Sequence, residues 1–295
     1  YGGAYRLFTT VYNRFGVSIK FVDTTNPENV RNAISNKTKL IWLESPTNPL
    51  LKVSDIQRIS EIAKENNILL CVDNTFATPI IQKPLDLGAD IVLHSATKYI
   101  GGHTDVLAGI VVTNSDELGE QLKYIQNATG GVLSPFDSWL LIRSIETLKI
   151  RVERHSANAI RIAEFLDEKE GIKDLFYPGL RSHPNYSVAL RQQRFPGSII
   201  SFSLEEDTEE NAVKFVTSTK LFNLAESLGG AKSLICHPPS MTHKSIPREK
   251  RLQSGIADSL IRLSVGLEDS VDLINDIEQA LSKVSDKKET GSFVK

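Results

Sequence analysis

The sequence predicts an α/β fold with a largely parallel sheet covered on both faces. Two observations carry this. Short apolar runs without alternation recur at residues 40–43, 68–72, 90–94 and 109–113. Stretches with helical apolar spacing lie between them, the pattern of strands buried on both sides. A third observation, the length of 295 residues, allows about two domains.

Composition narrows the class. A hydrophobic share of 40% beside a charged share of 24% is ordinary for a soluble globular protein. The net charge of −2 offers no excess of positive charge to nucleic acid or an anionic membrane. No apolar run approaches a membrane span, and no secretory signal opens the chain. Of two cysteines, Cys71 lies in an apolar run and Cys236 precedes a histidine; neither belongs to a Cys-x-x-Cys pair of a zinc or redox site. The expectation is a cytoplasmic protein with no nucleic-acid or membrane partner.

The elements follow in order. Tyr1-Gly2-Gly3 is a turn, and residues 4–15 have helical spacing through Leu7, Val11 and Phe15. Residues 17–22 read as a strand, and Asn26-Pro27-Glu28 starts a helix to about residue 36. The strand at 40–43 runs into Glu44-Ser45-Pro46-Thr47-Asn48-Pro49, where the prolines forbid helix. Ser54 is placed to cap a helix through Ile56, Ile59 and Ile62. Strands follow at 68–72, 90–94 and 109–113. Residues 135–169 are helical, with a break near Leu148. Tyr177-Pro178-Gly179 is a turn. Strands are predicted at 198–204, 222–225 and 261–265, and helices at 211–218 and 271–284. The domain reading is 1–145, then 146–284 beginning with a long helix, then a disordered tail at 285–295.

In parallel sheets, ligands sit at the carboxyl ends of the strands. Asn48, Asp73 and Lys98 each follow a strand at that end. Lys98 stands beside the hydroxyls of Ser95 and Thr97 and ahead of Gly101-Gly102. It is either a solvated loop lysine or the tether of an aldehyde cofactor. Asp73 is either a turn carboxylate or the partner of a protonated ring nitrogen, which pyridoxal phosphate supplies. That cofactor also wants hydroxyls for its phosphate, which Ser95 and Thr97 offer, and an aromatic to stack on its ring, which Tyr1 or Tyr99 offers. The competing motifs are missing: no P-loop, no dinucleotide fingerprint and no nucleophile elbow occur. Cys236-His237 reads as structural, and His103 and His243 as hydrogen-bonded loop histidines without a metal.

The motifs Tyr-Gly-Gly at 1–3, Glu-Ser-Pro-Thr-Asn-Pro at 44–49, Val-Asp-Asn-Thr-Phe at 72–76 and Ser-Ala-Thr-Lys-Tyr at 95–99 carry a resemblance. So do Ala-Glu-Ser-Leu-Gly-Gly at 225–230, Met-Thr-His at 241–243 and Ile-Arg-Leu-Ser-Val-Gly-Leu-Glu-Asp at 261–269. The chain resembles the Cys/Met-metabolism family of pyridoxal-phosphate enzymes, in its cystathionine γ-lyase and γ-synthase branch, from residue 1 to about 284. The resemblance implies the fold type I, aspartate-aminotransferase-like architecture, with a cofactor domain and a smaller C-terminal α/β domain. It implies that Lys98 binds the cofactor aldehyde and moves the substrate α-proton. Asp73 holds the ring nitrogen, Ser95 and Thr97 the phosphate, and Tyr1 stacks on the ring and assists proton transfer. Asn48 and Arg262 hold the substrate α-carboxylate, with Ser227 and Glu226 beside them.

The implied reaction is α,γ-elimination of cystathionine, with homocysteine desulfurisation beside it. The alternatives are γ-replacement, as in a γ-synthase or sulfhydrylase, and a non-catalytic binding protein on the same fold. Glu226 points to γ-chemistry, because the β-lyases resembled place a bulky aromatic near there. The partners implied are a small amino-acid substrate and further copies of the chain in a homotetramer that shares active sites. The chain opens without methionine, and the family carries an upstream segment with a glycine-rich phosphate loop. The expectation is that this segment lies outside the sequence.

Overall fold

The computed structural model describes residues 1–244 and 246–285. Most of the tail expected at 285–295 lies outside the described residues.

Helix α1 (Gly2–Arg6) runs on through a π turn at Leu7–Val11 and a 3-10 turn at Tyr12–Phe15, and stops at Gly16 with φ 75°. Residues 17–22 do not form the expected strand. The run has apolar residues but, among the described residues, no neighbouring strand to take its backbone hydrogen bonds. Helix α2 (Pro27–Ala33) starts where Asn26 accepts from Glu28 N at 3.0 Å, with Pro27 at its first position. It ends at Ala33, short of residue 36, because Ile34 turns extended. Strand β1 (Leu40–Glu44) leads to helix α3 (Ile56–Glu65). Its cap is Asp55, which accepts from Arg58 N at 3.0 Å, and not Ser54. Ser54 is buried, and its hydroxyl bonds to Thr24 Oγ1 at 2.7 Å. A hydroxyl committed to tertiary packing is not available to cap.

Strand β2 (Leu69–Asp73), helix α4 (Thr78–Ile81) and strands β3 (Ile91–Ser95) and β4 (Gly109–Thr113) follow. Helix α5 (Asp116–Thr129), which periodicity missed, is bounded by Ser115 as cap and Gly130 at φ 73°. Helices α6 (Pro135–Ile145) and α7 (Leu148–Asp167) break at the expected place. Beyond them come β5 (Ile172–Phe176), α8 (Tyr186–Gln192), β6 (Ile199–Leu204), α9 (Glu209–Val216) and β7 (Asn223–Leu224). The described chain closes with β8 (Leu234–Cys236), α10 (Arg248–Gln253), β9 (Ile261–Ser264) and α11 (Ser270–Ser285). Of these, β5, α8, β8 and α10 were not foreseen.

The chain forms two compact units. The first comprises Tyr1–Asn48, Lys52–Lys149 and Pro184–Arg194. Its sheet has the order β1-β2-β3-β4, with β1, β2 and β3 parallel and β4 antiparallel. Parallel register puts Glu44 opposite Asp73, and Asp73 opposite Leu93, so three strands end at one edge. Leu43, Leu70 and Val72 pack with Ile56 and Ile59 of α3 to form the core beneath. A buried amide network joins the last segment of this unit to the rest. Gln192 Nε2 donates to Ser54 O at 2.9 Å and Gln82 Oε1 at 3.0 Å, and Gln82 Nε2 donates to Ser45 O at 3.0 Å and Asn74 Oδ1 at 2.9 Å.

The second unit comprises Pro49–Leu51, Ile150–His183 and Phe195–Lys295. Its sheet has the order β5-β6-β9-β8-β7 and is antiparallel except between β7 and β8. Strand β6 is buried along its whole length. Phe202 and Leu263 of the sheet pack with Ile162 of α7, Phe215 of α9 and Ile277 of α11.

Candidate active site

The strand exits of the first unit collect most of the residues singled out from the sequence. Asp73 is the last residue of β2, and its Oδ1 accepts from Thr75 N at 3.0 Å. Burial pushes its carboxyl above the ordinary carboxylate range, and the charge of Glu44 pushes the same way, while hydrogen bonds from Thr75 pull it back. Thr75 is the residue that reading by type overlooked. Its Oγ1 accepts from Ser95 N at 2.8 Å, at the end of β3. Lys98 N in turn donates to Ser95 O at 3.1 Å. A run of hydrogen bonds therefore connects Asp73 through Thr75 and Ser95 to Lys98. The signal was present in Asp73-Asn74-Thr75, where a hydroxyl two residues past an acid closes a local turn.

Lys98 is half-buried at the start of a tight turn, with Gly101 N donating to Ala96 O and Gly102 N to Lys98 O, both at 2.7 Å. Gly102 holds φ 67°, and a Cβ on Gly101 would meet Ala96 O at 2.9 Å, so both glycines are required. Thr97 Oγ1 accepts from Ala108 N at 2.9 Å and lies 3.3 Å from Ala108 O, which ties the lysine turn to the start of β4. Of the two aromatics, Tyr99 is 2% exposed and belongs to the core, whereas Tyr1 is 63% exposed. Asn48 closes the loop after β1, where its N donates to Glu44 Oε1 at 2.7 Å.

The second unit carries the other group. Arg262 lies within β9, in register with Ser201 of β6 on one side and Cys236 of β8 on the other. It is 2% exposed, and its Nη2 donates to Ser227 O at 2.8 Å. It is thus a buried residue within the strand expected at 261–265. Ser227 holds φ 88°, a backbone conformation costly for a residue with a side chain. Gly229 N donates to Ser264 Oγ at 2.9 Å and fixes the turn from the other end. Glu226 is exposed. The Cys236 thiol is pushed up by burial and pulled back by Arg262.

The histidines keep to hydrogen bonding. His103 Nδ1 lies 2.7 Å from Gly101 O and 3.2 Å from Ser144 Oγ, and His243 Nδ1 lies 2.8 Å from Thr242 Oγ1. His237 bonds to Ser240 Oγ and Asp258 O. Among the described residues no group of three His, Cys, Asp or Glu could hold a metal ion, and no helix is long and apolar enough to cross a membrane.

An α/β fold with a lysine and a half-buried acid on adjacent strand exits is the layout of a cofactor-dependent enzyme. Residues 1–282 match the family described as Cys/Met metabolism PLP-dependent enzyme, and the chain belongs to that family. It is 54% identical over 284 residues to a cystathionine γ-lyase of Bacillus subtilis, covering 96% of this chain and 74% of that protein. It is 52% identical over 283 residues to a cystathionine β-lyase of Coxiella burnetii, covering 95% and 73%. The solved structure of cystathionine γ-lyase from Lactobacillus plantarum complexed with L-serine superposes with a TM-score of 0.94 at 47% identity, covering 97% and 74%. The fold is therefore that of the pyridoxal-phosphate lyases, and the family's cofactor is pyridoxal 5'-phosphate. Asp73 fits that cofactor. No lysine, arginine or histidine is ion-paired with it among the described residues, so its carboxylate is raised by burial in the way a ring N–H⁺ relieves.

Proposed function

We propose that the chain cleaves the Cγ–S bond of cystathionine by α,γ-elimination. The observation that carries this is that cystathionine γ-lyases match both in sequence, at 54% identity across nearly the whole chain, and in structure, with a TM-score of 0.94. Glu226 beside Ser227 supports it, a carboxylate in place of the bulky aromatic expected of β-lyases.

The first unit holds the cofactor. Lys98 would hold its aldehyde and, as a free amine, would move the substrate α-proton and then a proton at Cβ. Bound pyridoxal phosphate supplies the electron sink for the charge left at Cα. Asp73 would keep a proton on the ring nitrogen, Ser95 and Thr97 would bind phosphate, and Tyr1 would stack on the ring and assist proton transfer. Asn48 offers its amide to the substrate α-carboxylate. On the second unit, Arg262 offers a carboxylate the two parallel N–H groups of its fork. Glu226 meets the distal part of the substrate.

A second reading, β-elimination, draws on cystathionine β-lyases of Lactococcus lactis that are 54% identical over 284 residues. The keto acid decides. Cystathionine and the holoenzyme yield 2-oxobutanoate, ammonia and cysteine by γ-elimination, and pyruvate, ammonia and homocysteine by β-elimination. Pyruvate as the main product overturns our reading. Faster formation of cystathionine from an O-acylhomoserine and cysteine places the chain with the γ-replacement enzymes. No keto acid and no cystathionine, from holoenzyme that binds the amino acid, marks a binding protein on the same fold.

The assembly we propose is a homotetramer with shared sites. Phe136, Trp139, Ile142 and Ile145 support it, exposed at three-residue spacing along α6. Sedimentation equilibrium tests it, and a monomer overturns it. We place the protein in the cytoplasm, in keeping with two unpaired, buried cysteines.

A further inference from the structure

Strand β9 turns two polar side chains to the same face, because Arg262 and Ser264 stand two residues apart in an extended run. Both are 2% exposed. Arg262 has a part in our reading, and Ser264 has none so far. They reach the same turn. Arg262 Nη2 donates to Ser227 O at 2.8 Å, and Ser264 Oγ accepts from Gly229 N at 2.9 Å. Alternate residues of the strand thus grip alternate residues of the turn.

The gripped turn is strained. Ser227 holds φ 88° and Gly229 φ 77°. A residue with a side chain stays in that region only where its surroundings over-determine it. Gly229 is buried, and a buried N–H without an acceptor is costly. The Ser264 hydroxyl is the acceptor that this conformation meets. Without it the turn relaxes, and Ser227 O, the carbonyl that takes the Arg262 N–H, moves with it. The remainder of the segment is held by other bonds. Leu267 N donates to Ala231 O, Ser233 N to Glu268 Oε1 and Gly266 N to Ser233 Oγ, each at 2.8 Å. Strand β8 then pairs with β9 in antiparallel register. Loss of the Ser264 bond therefore loosens residues 227–230 and leaves the sheet in place.

We propose that Ser264 is a positioning residue for carboxylate recognition: by holding Gly229 N it keeps Ser227 O where that carbonyl orients the Arg262 guanidinium. It acts through Arg262 and not on the substrate. The inference rests on the role proposed for Arg262, and the test tells the two apart.

In the holoenzyme, Ser264→Ala is expected to raise KM for cystathionine about fivefold, with kcat changed less than about twofold. Titration of the cofactor's visible band adds a readout that a merely structural role does not move. L-Alanine presents an α-carboxylate, and L-alaninamide puts a neutral amide in its place. Ser264→Ala should weaken L-alanine about fivefold and leave L-alaninamide within about twofold of wild type. Arg262→Lys is the control. If it weakens L-alanine selectively and Ser264→Ala does not, the inference about Ser264 fails alone. If Arg262→Lys leaves L-alanine binding unchanged, the role of Arg262 fails and the inference falls with it. Equal weakening of acid and amide by Ser264→Ala overturns the proposal, because the whole site has then loosened. Should Ser264→Ala not fold, Ser264→Cys keeps a side chain of similar shape with a weaker acceptor. Selective weakening of L-alanine in that variant supports the proposal, and wild-type affinity overturns it.

Discussion

The Arg262 guanidinium donates to the main-chain carbonyl of Ser227 at 2.8 Å, and Ser227 holds a left-handed φ of 88°. The arginine that recognises a carboxylate in our reading is thereby braced by a strained turn that Gly229 N anchors to Ser264 Oγ. A lysine there keeps the charge but loses the planar fork. Arg262→Lys is expected to raise KM for cystathionine at least about tenfold, or ~1.4 kcal/mol, with a smaller change in kcat. Steady-state kinetics over a wide substrate range check it, and an unchanged KM removes Arg262 from the site.

Lys98 gives the most direct test of the cofactor reading. The native enzyme should show a lysine-bound chromophore near the visible edge. Lys98→Ala should lose that band and its borohydride trapping, and turnover should fall by more than about a thousandfold, since both tether and proton shuttle go. Spectra on dialysed protein decide it. A persistent trapped adduct would move the tether to another lysine.

Asp73 predicts a separation between stability and cofactor retention. Its folded-state pKa is raised by burial and by Glu44, so the stability tied to its proton is present at low pH and lost as pH rises from its ordinary value through the folded one. Without cofactor at neutral pH, Asp73→Asn should therefore melt higher, by a few degrees at most. The same variant should lose cofactor on dialysis faster than wild type. A variant that melts lower and retains cofactor contradicts both halves.

His94 and His155 set the acid limit. Burial holds each ring's pKa down to about 4, against an ordinary value of 6.5. A depressed pKa means that stability is complete above pH 6.5 and is lost as pH falls towards 4. Each contributes on the order of 3 kcal/mol across that window. Urea midpoints measured from pH 7 to 4.5 should fall with a slope that approaches two protons taken up on unfolding. A flat profile would show that both rings are solvated.

Much of the fold was legible because the parallel strands are buried and so nearly all apolar. Leu70, Cys71 and Val72 declare β2 without ambiguity. Where the rule failed, tertiary partners decided. Residues 17–22 have strand composition but no strand to pair with, and Ser54 has the chemistry of a cap but is spent on Thr24. Helix α5 escaped notice although Leu118, Leu122 and Ile125 keep helical spacing and Ser115 and Gly130 mark its ends, because none of its residues is buried and the stripe is short. In the candidate site, Lys98 and Asp73 stood out by type and position. Thr75 and Ser264 did not, because their part is to hold other residues, and that is visible only once strands are in register.

The amide network around Gln82 and Gln192 has a consequence for biosynthesis. The first unit draws its last segment, Pro184–Arg194, from beyond residues that belong to the second. Until Gln192 arrives, Gln82 Oε1 and Ser54 O lack the donor that the finished unit gives them. By about residue 150 the chain already holds every strand described for the first sheet, yet it cannot seal the layer beneath the Asn74 turn. The ribosome must deliver some forty residues more before that layer closes, so the edge that carries Asp73 matures late although its residues are made early.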